Sequence, residues 1–173
     1  APAQLKEMLD RNDDVVLVDM RNDYETKIGK FKNAIVLPMS NFRELPEAVR
    51  EIKHLKEKRV VVYCTGGIRC EKASAYLNEI GFKDVSQIKG GILKFGEEFP
   101  DTYWEGKCFV FDTRGAIDID PNSQSEPITQ CAMCSLPCAE LHNCALTTCD
   151  KFFTACKDCL KILKECCSKN CRN

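Results

Sequence analysis

Apolar and polar positions along this chain switch repeatedly between two periods. Val15-Val16-Leu17-Val18-Asp19 is a continuous apolar run, too uniform to have one wet face, and predicts a central parallel strand. Ala34-Ile35-Val36-Leu37, stopped by Pro38, predicts a second strand. Arg59-Val60-Val61-Val62-Tyr63 and Asp84-Val85-Ser86-Gln87-Ile88 predict two more. Between them the period lengthens to that of a helix. Leu5, Met8 and Leu9 share one face of residues 3–10, and Leu45, Val49, Ile52 and Leu55 share another before the third strand. Ala73, Tyr76, Leu77 and Ile80 follow that strand on one helical face, with Gly81 as the stop. Ile92, Leu93, Phe95 and Phe99 make a last helix, opened by Gly90-Gly91 and ended by Pro100. Strands alternating with helices call for an α/β fold, a parallel sheet with helices on both faces. The ligand site then belongs at the carboxyl ends of the strands, where Asp19 and Cys64 stand.

Beyond residue 100 the pattern breaks. Residues 101–130 read as a connector, with one strand-like piece, Cys108-Phe109-Val110-Phe111-Asp112, and a polar, turn-rich stretch over 121–129. Few aliphatic residues occur over 131–173. The division expected is a first domain over 1–100, the connector, and a small cysteine-rich, zinc-binding module over 131–173. A formal net charge of −1 gives no general electrostatic case for nucleic acid and leaves only a local basic face. No apolar run reaches the length of a membrane span, and no secretory leader is expected before the first domain.

The chemistry concentrates in cysteine, of which the chain has 13. One of them, in Cys64-Thr65-Gly66-Gly67-Ile68-Arg69-Cys70, lies between a strand end and a helix start. A glycine-rich bend there points backbone N–H groups of Thr65, Gly66, Gly67 and Ile68 inward, and the helix N-terminus adds partial positive charge. Such a setting lowers a thiol below its free pKa of about 8.5, so Cys64 is the candidate nucleophile and Arg69 the fixed-charge donor that holds an anion. Asp19 is the candidate for ordering Arg69 or the loop, with a strand-end residue satisfying a turn as the equal alternative. Arg21 is the candidate for meeting a substrate phosphate, with a surface salt bridge as the favoured alternative. Cys70 either resolves an oxidised Cys64 or only starts the helix. His54, among lysines, reads as plain surface.

In the module, Cys131-x2-Cys134 and Cys156-x2-Cys159 have the spacing that lets two thiolates of one turn reach one tetrahedral ion. Cys144-x4-Cys149 and Cys166-Cys167-x3-Cys171 supply two further pairs. Four pairs suit two structural zinc ions. Interleaving is preferred, with the first and third pairs on one ion and the second and fourth on the other; sequential pairing is the alternative. The ligands are taken as Cys131, Cys134, Cys144, Cys149, Cys156, Cys159, Cys167 and Cys171, with Cys138 and one of Cys166 or Cys167 spare, the choice between those two open from spacing, and His142 not needed. A dense cysteine cluster also suits an extracellular disulfide scaffold. The free thiolate required at Cys64 favours metal ligation in a reducing cytoplasm instead. Lys151, Lys157, Lys161, Lys164 and Lys169, with Phe152 and Phe153, are candidates for RNA contact.

Leu17-Val18-Asp19-Met20-Arg21, Tyr24-Glu25, Gly29, Asn33-Ala34-Ile35, the loop from Cys64 to Arg69, and Gly90-Gly91 together resemble a rhodanese domain over residues 3–99. Four residues separate Cys64 from Arg69, as in sulfur-transferring rhodaneses; the related phosphatases use one more. A narrower resemblance extends through Gly106-Lys107-Cys108-Phe109-Val110-Phe111-Asp112 and the paired cysteines. It is to the bacterial tRNA uridine hydroxylases and their eukaryotic thiosulfate sulfurtransferase/rhodanese-like relatives. That resemblance implies oxygen-dependent hydroxylation of wobble uridine to 5-hydroxyuridine, with the tRNA anticodon loop as partner and neither DNA nor membrane involved. Family members usually open with a further domain, so the chain is expected to be a fragment. A sulfurtransferase working through a Cys64 persulfide is the alternative, and a non-catalytic zinc-and-rhodanese interaction module the third.

Overall fold

Pairing of the two most apolar segments builds the centre of the molecule. In the computed structural model, which describes residues 1–100, 102–112, 114–122 and 124–172, Val15 to Asp19 run parallel to Arg59 to Tyr63 in unbroken register. Asp101, Thr113 and Ser123 of the expected connector, and Asn173, lie outside the described residues. The first part of the chain forms α1 (Pro2–Asp10), β1 (Val15–Asp19), α2 (Asp23–Thr26), β2 (Gly29–Phe31), β3 (Ile35–Val36), α3 (Leu45–Ala48), β4 (Arg59–Tyr63), α4 (Ile68–Glu79), β5 (Asp84–Gln87) and α5 (Gly91–Glu98). The sheet order is β3-β1-β4-β5, all parallel.

Both sheet faces are covered, as the uniform strands require. On one, Val18, Val60 and Val62 pack with Leu45, Val49, Ile52, Ala73 and Leu77. On the other, Leu17, Val61 and Tyr63 pack with Leu5, Ile92 and Phe95. Alternate residues of β1 and β4 thus serve opposite cores. The expected helix carrying Leu45 to Leu55 is α only at its start. Residues Val49–Leu55 tighten into a 3-10 segment, and Val49, Ile52 and Leu55 are buried all the same, as is Leu45. Two strands escaped the sequence pattern because they are short: β2 pairs antiparallel with β6 (Trp104–Gly106). The strand-like piece of the connector is strand only at β7 (Cys108–Phe109), which pairs with β8 (Ala116–Ile117) and leaves Phe111 in solvent.

Residues 131–171 have a separate core made almost wholly of sulfur. Cys131, Cys138, Cys144, Cys159 and Cys166 are buried there with Phe153 and Ala155. Around them lie β9 (Leu141–Asn143), β10 (Phe152–Thr154), α6 (Lys157–Ile162) and α7 (Lys169–Arg172). Phe152 stacks on Tyr24 of the first part, with ring centroids 4.3 Å apart and an interplanar angle of 20°. Among the described residues no helix is long and apolar enough to cross a membrane.

The start of α5 is pressed against the loop after β4. Ile92 N donates to Cys64 O at 3.0 Å and Leu93 N to Thr65 O at 3.1 Å. A methyl group at Gly91 would overlap both carbonyl oxygens and lie 2.8 Å from Gly67 N, and Gly91 has φ +64°. Only glycine fits that approach and that conformation. Gly91→Ala is therefore expected to cost at least about 1–3 kcal/mol of stability and to displace the loop. Denaturant unfolding would measure the first, and loss of rapid Cys64 alkylation the second.

Candidate active site and metal centres

The end of β4 delivers Cys64 into the bend that precedes α4. The sulfur is almost sealed, at 2% residue exposure, and Gly67 N donates to it at 3.1 Å. Gly67 itself is left-handed, with φ +95°, the turn needed to bring its amide round before the helix starts. Hydrogen bonding from the Cys70 thiol is the largest of the influences that lower the Cys64 pKa. Against the opposition of burial, it and the backbone N–H groups of Arg69, Gly67 and Cys70 lower the Cys64 pKa to about 5. The same interaction, with burial, pushes Cys70 far above the ordinary thiol range, so Cys70 stays protonated as the donor. Cys70 is thus a member of the cradle, a role the sequence left undecided. Gly66 has nothing within 4 Å of where a side chain would begin, so its backbone stands open at the mouth. The Thr65 hydroxyl is buried without a partner among the described residues. Ile68, 80% exposed, stands outside the pocket.

Arg69 is held by a residue that sequence reasoning passed over. Glu25, fully buried, accepts from Arg69 Nη1 at 2.6 Å and from Nη2 at 2.8 Å, a fork-to-fork pair. Burial opposes the charge on Arg69, and Glu25 outweighs it, keeping the guanidinium ionised. Glu25 is itself fixed, because its Oε2 accepts from Asn22 N at 3.0 Å in a capping box. The Asn22-x-x-Glu25 spacing was a legible signal for that cap. The partner, 44 residues away, was not.

Two expected site residues are corrected. Asp19 does not order Arg69 or the loop: its carboxylate accepts from Arg21 Nε at 3.0 Å, Arg21 Nη2 at 2.6 Å and Arg21 N at 3.0 Å. Arg21 does not meet a substrate phosphate. Its side chain is 0% exposed, donates also to Gly29 O at 2.7 Å, and lies 5.3 Å from the Trp104 ring. A guanidinium sealed by a carboxylate and an indole has a structural task, tying the end of β1 to β2. Phe153 is buried too and so presents no face to RNA, while Phe152 is exposed along one side and stacks on Tyr24 with the other. His54 is exposed, and His142 contacts the Ala155 carbonyl through Nε2 at 3.1 Å.

The cysteine module brings together two groups of four. Cys131, Cys134, Cys156 and Cys159 have all their sulfurs within 4.8 Å of one another, and so do Cys144, Cys149, Cys167 and Cys171. The first pair of the sequence meets the third, and the second meets the fourth. Cys134 and Cys156 are 3.8 Å apart, Cys149 and Cys167 3.7 Å, Cys167 and Cys171 3.6 Å. A disulfide would need about 2.05 Å. Cys138 and Cys166 stand outside both groups. Backbone amides face the sulfurs, as where Cys167 N donates to Cys144 at 3.4 Å. Each group is a compact, four-sulfur site able to hold a metal ion.

With this geometry the chain can be placed among known proteins. The model of the rhodanese-like domain matches residues 1–98, more than half of the chain. The chain belongs to the rhodanese-like family. The rhodanese C-terminal model matches residues 105–172. A protein of Cytophaga hutchinsonii named tRNA uridine(34) hydroxylase is 45% identical over 171 residues, covering 99% of this chain and 54% of its own length. One of the same name from Chlamydia felis is 43% identical over 175 residues, with 99% and 54% covered. The chain thus spans about half the length of the curated relatives it matches. The crystal structure of the Alr3790 protein from Anabaena sp. is similar in fold alone, with TM-score 0.51, 23% identity, 61% of this chain and 78% of that one covered.

The rhodanese loop found here is built to keep negative charge on sulfur, which sets its pH behaviour. Because the folded Cys64 pKa lies below the unfolded value of about 8.5, ionised Cys64 stabilises the fold fully above about 8.5. That contribution is lost as pH falls through about 5. The rate of Cys64 alkylation against pH is expected to show a midpoint near 5. Cys70→Ala, which removes the first donor, should move that midpoint upward.

Proposed function

We propose that this chain is the reacting portion of a cytoplasmic tRNA-modifying enzyme, which hydroxylates wobble uridine to 5-hydroxyuridine with molecular oxygen. The observation that carries the reading is the 45% identity to a tRNA uridine(34) hydroxylase across 99% of this chain. Both the Cys64 loop and the cysteine module lie within that span. What the chain brings to such chemistry is a sulfur nucleophile ionised at neutral pH, and a ring of backbone N–H donors that stabilises negative charge beside it. Arg69 contributes through its backbone N–H and as a fixed cation behind the loop, with its guanidinium set by Glu25. The same cradle also suits a persulfide, and the four-residue spacing between Cys64 and Arg69 favours sulfur carriage as the second reading.

The division into a rhodanese domain over 1–100, a connector over 101–130 and a zinc module over 131–173 belongs to this proposal. Zinc fits the two four-cysteine groups on distance. A tetrahedron with Zn–S of about 2.3 Å has edges of about 3.8 Å, and the shortest sulfur separations run from 3.6 to 3.8 Å. Thiolate sets of this kind favour zinc among common divalent ions. When bound, the metal supplies folding energy to a segment with few aliphatic residues. Proposed ligands are Cys131, Cys134, Cys156 and Cys159 for one ion, and Cys144, Cys149, Cys167 and Cys171 for the other.

Two measurements test this reading. Full-length protein incubated with tRNA, oxygen and a two-electron reductant should add one oxygen to the wobble uridine, the other leaving as water, seen by mass spectrometry of nucleosides, and Cys64→Ser should abolish it without unfolding the protein. Transfer of sulfur from thiosulfate to cyanide, with no hydroxylation, would put the second reading first. Elemental analysis under reducing purification should give two zinc ions per chain, and a chelator should melt the module while the parallel sheet persists. A single ion would mean that one cysteine group has another purpose.

A further inference from the structure

Large apolar side chains left in water are ordinary when scattered. Here the two most exposed among the described residues are Ile68 at 80% and Phe111 at 68%, and Phe111 lies beside the Arg69 guanidinium. Ile68 is the chain neighbour of Arg69. The Arg69 guanidinium carbon lies 5.6 Å from the Phe111 ring centroid, within cation–π range. Phe111 comes from beyond the sheet, so its placement at the rim is a product of the fold.

The ring is held there. Phe109, buried beneath it, meets it edge-to-face with centroids 4.9 Å apart, and Phe109 is braced by Tyr24 at 5.5 Å. The hairpin that carries Phe111 is closed by Val110 N donating to Gly115 O at 2.9 Å. Asp112 accepts from Arg114 Nε at 2.9 Å and Nη2 at 2.7 Å, which stiffens the next residue of the chain. A fixed, solvent-facing ring backed by a cation is the arrangement on which single-stranded bases stack. An anticodon loop supplies unstacked bases, and delivering one to a buried sulfur requires its neighbours to be splayed apart.

We propose that Phe111 is a stacking platform for a loop base that flanks the uridine presented to Cys64. This rests on the tRNA reading above. Phe111 binds a base at the rim, and Cys64 acts on a different base within the loop.

The test uses full-length protein and anticodon stem-loop RNAs in which one loop base at a time is replaced by an abasic site. Stacking of one base on an aromatic side chain contributes about 1–3 kcal/mol, which corresponds to roughly 5- to 150-fold in KM. Phe111→Leu should raise KM for intact RNA by that factor, and Phe111→Tyr should restore most of it. For one abasic position flanking the target, wild type should lose the same factor, while Phe111→Leu should lose less than about 2-fold more. A purely structural role would not produce that non-additivity. Cys64 alkylation at wild-type rate in each variant confirms an intact cradle. The proposal is overturned if Phe111→Leu leaves KM within about 2-fold of wild type, or if the two losses multiply at every loop position. Failure of the wild-type protein to modify any RNA would remove the tRNA reading and this inference together.

Discussion

Everything at the candidate site depends on how closely two loops can approach. The backbone of Gly91 sits against the carbonyls of Cys64 and Thr65, and Ile92 and Leu93 donate to those same carbonyls. These bonds turn the peptide units of the Cys64 loop outward, which frees its N–H groups to face the sulfur. A side chain at Gly91 would push the loops apart and release the carbonyls. The left-handed turn at Gly67, the short Gly67 N to Sγ bond and the start of α4 all follow from that seating. Only then does Arg69 fall within reach of Glu25.

Sulfur is handled in two different ways in one chain. Cys64 has its pKa lowered by hydrogen-bonding groups and not by a cluster of sulfurs, with the Gly67 amide donating to the sulfur, so its nucleophilic electron pair remains available. In the module, four sulfurs crowd within 4.8 Å, a spacing at which four thiolates cannot coexist without a cation. Amide donors near Cys131 and Cys144 support only part of that charge. The same residue type is therefore reactive where hydrogen bonds hold it and inert where a metal would. The local density of neighbouring sulfur decides between them.

The strands, the helix after Cys64 and the two-sided cores were legible because long apolar runs and a helical period leave little choice of element. Cys64 was legible because strand, glycines and helix surround it in sequence. Interleaving of the cysteine pairs was open from spacing alone, and β9 and β10 resolve it by bringing the flanking segments together. Asp19 and Arg21 misled because charged residues at a strand end look like site residues. Their mutual bonds form across a turn of one intervening residue, and burial behind Trp104 depends on β6, which no local pattern announces. Glu25 was missed for the converse reason: its cap is local, but its function lies in a contact between distant segments. The tightening of residues 49–55 into a 3-10 helix kept the same apolar face and was invisible to periodicity.

The cysteine module adjoins the Cys64 loop through a short aromatic chain. Phe152 of β10 stacks on Tyr24, Tyr24 meets Phe109 edge-to-face, and Ile28, Ala139 and Leu141 fill the space around them. Tyr24 directly precedes Glu25, the residue that forks onto Arg69. Removal of the sulfur core would strip Tyr24 of its stacking partner and loosen the helical turn that presents Glu25. The module thus packs behind the helical turn that carries Glu25, one aromatic chain away from the pair that Glu25 makes with Arg69.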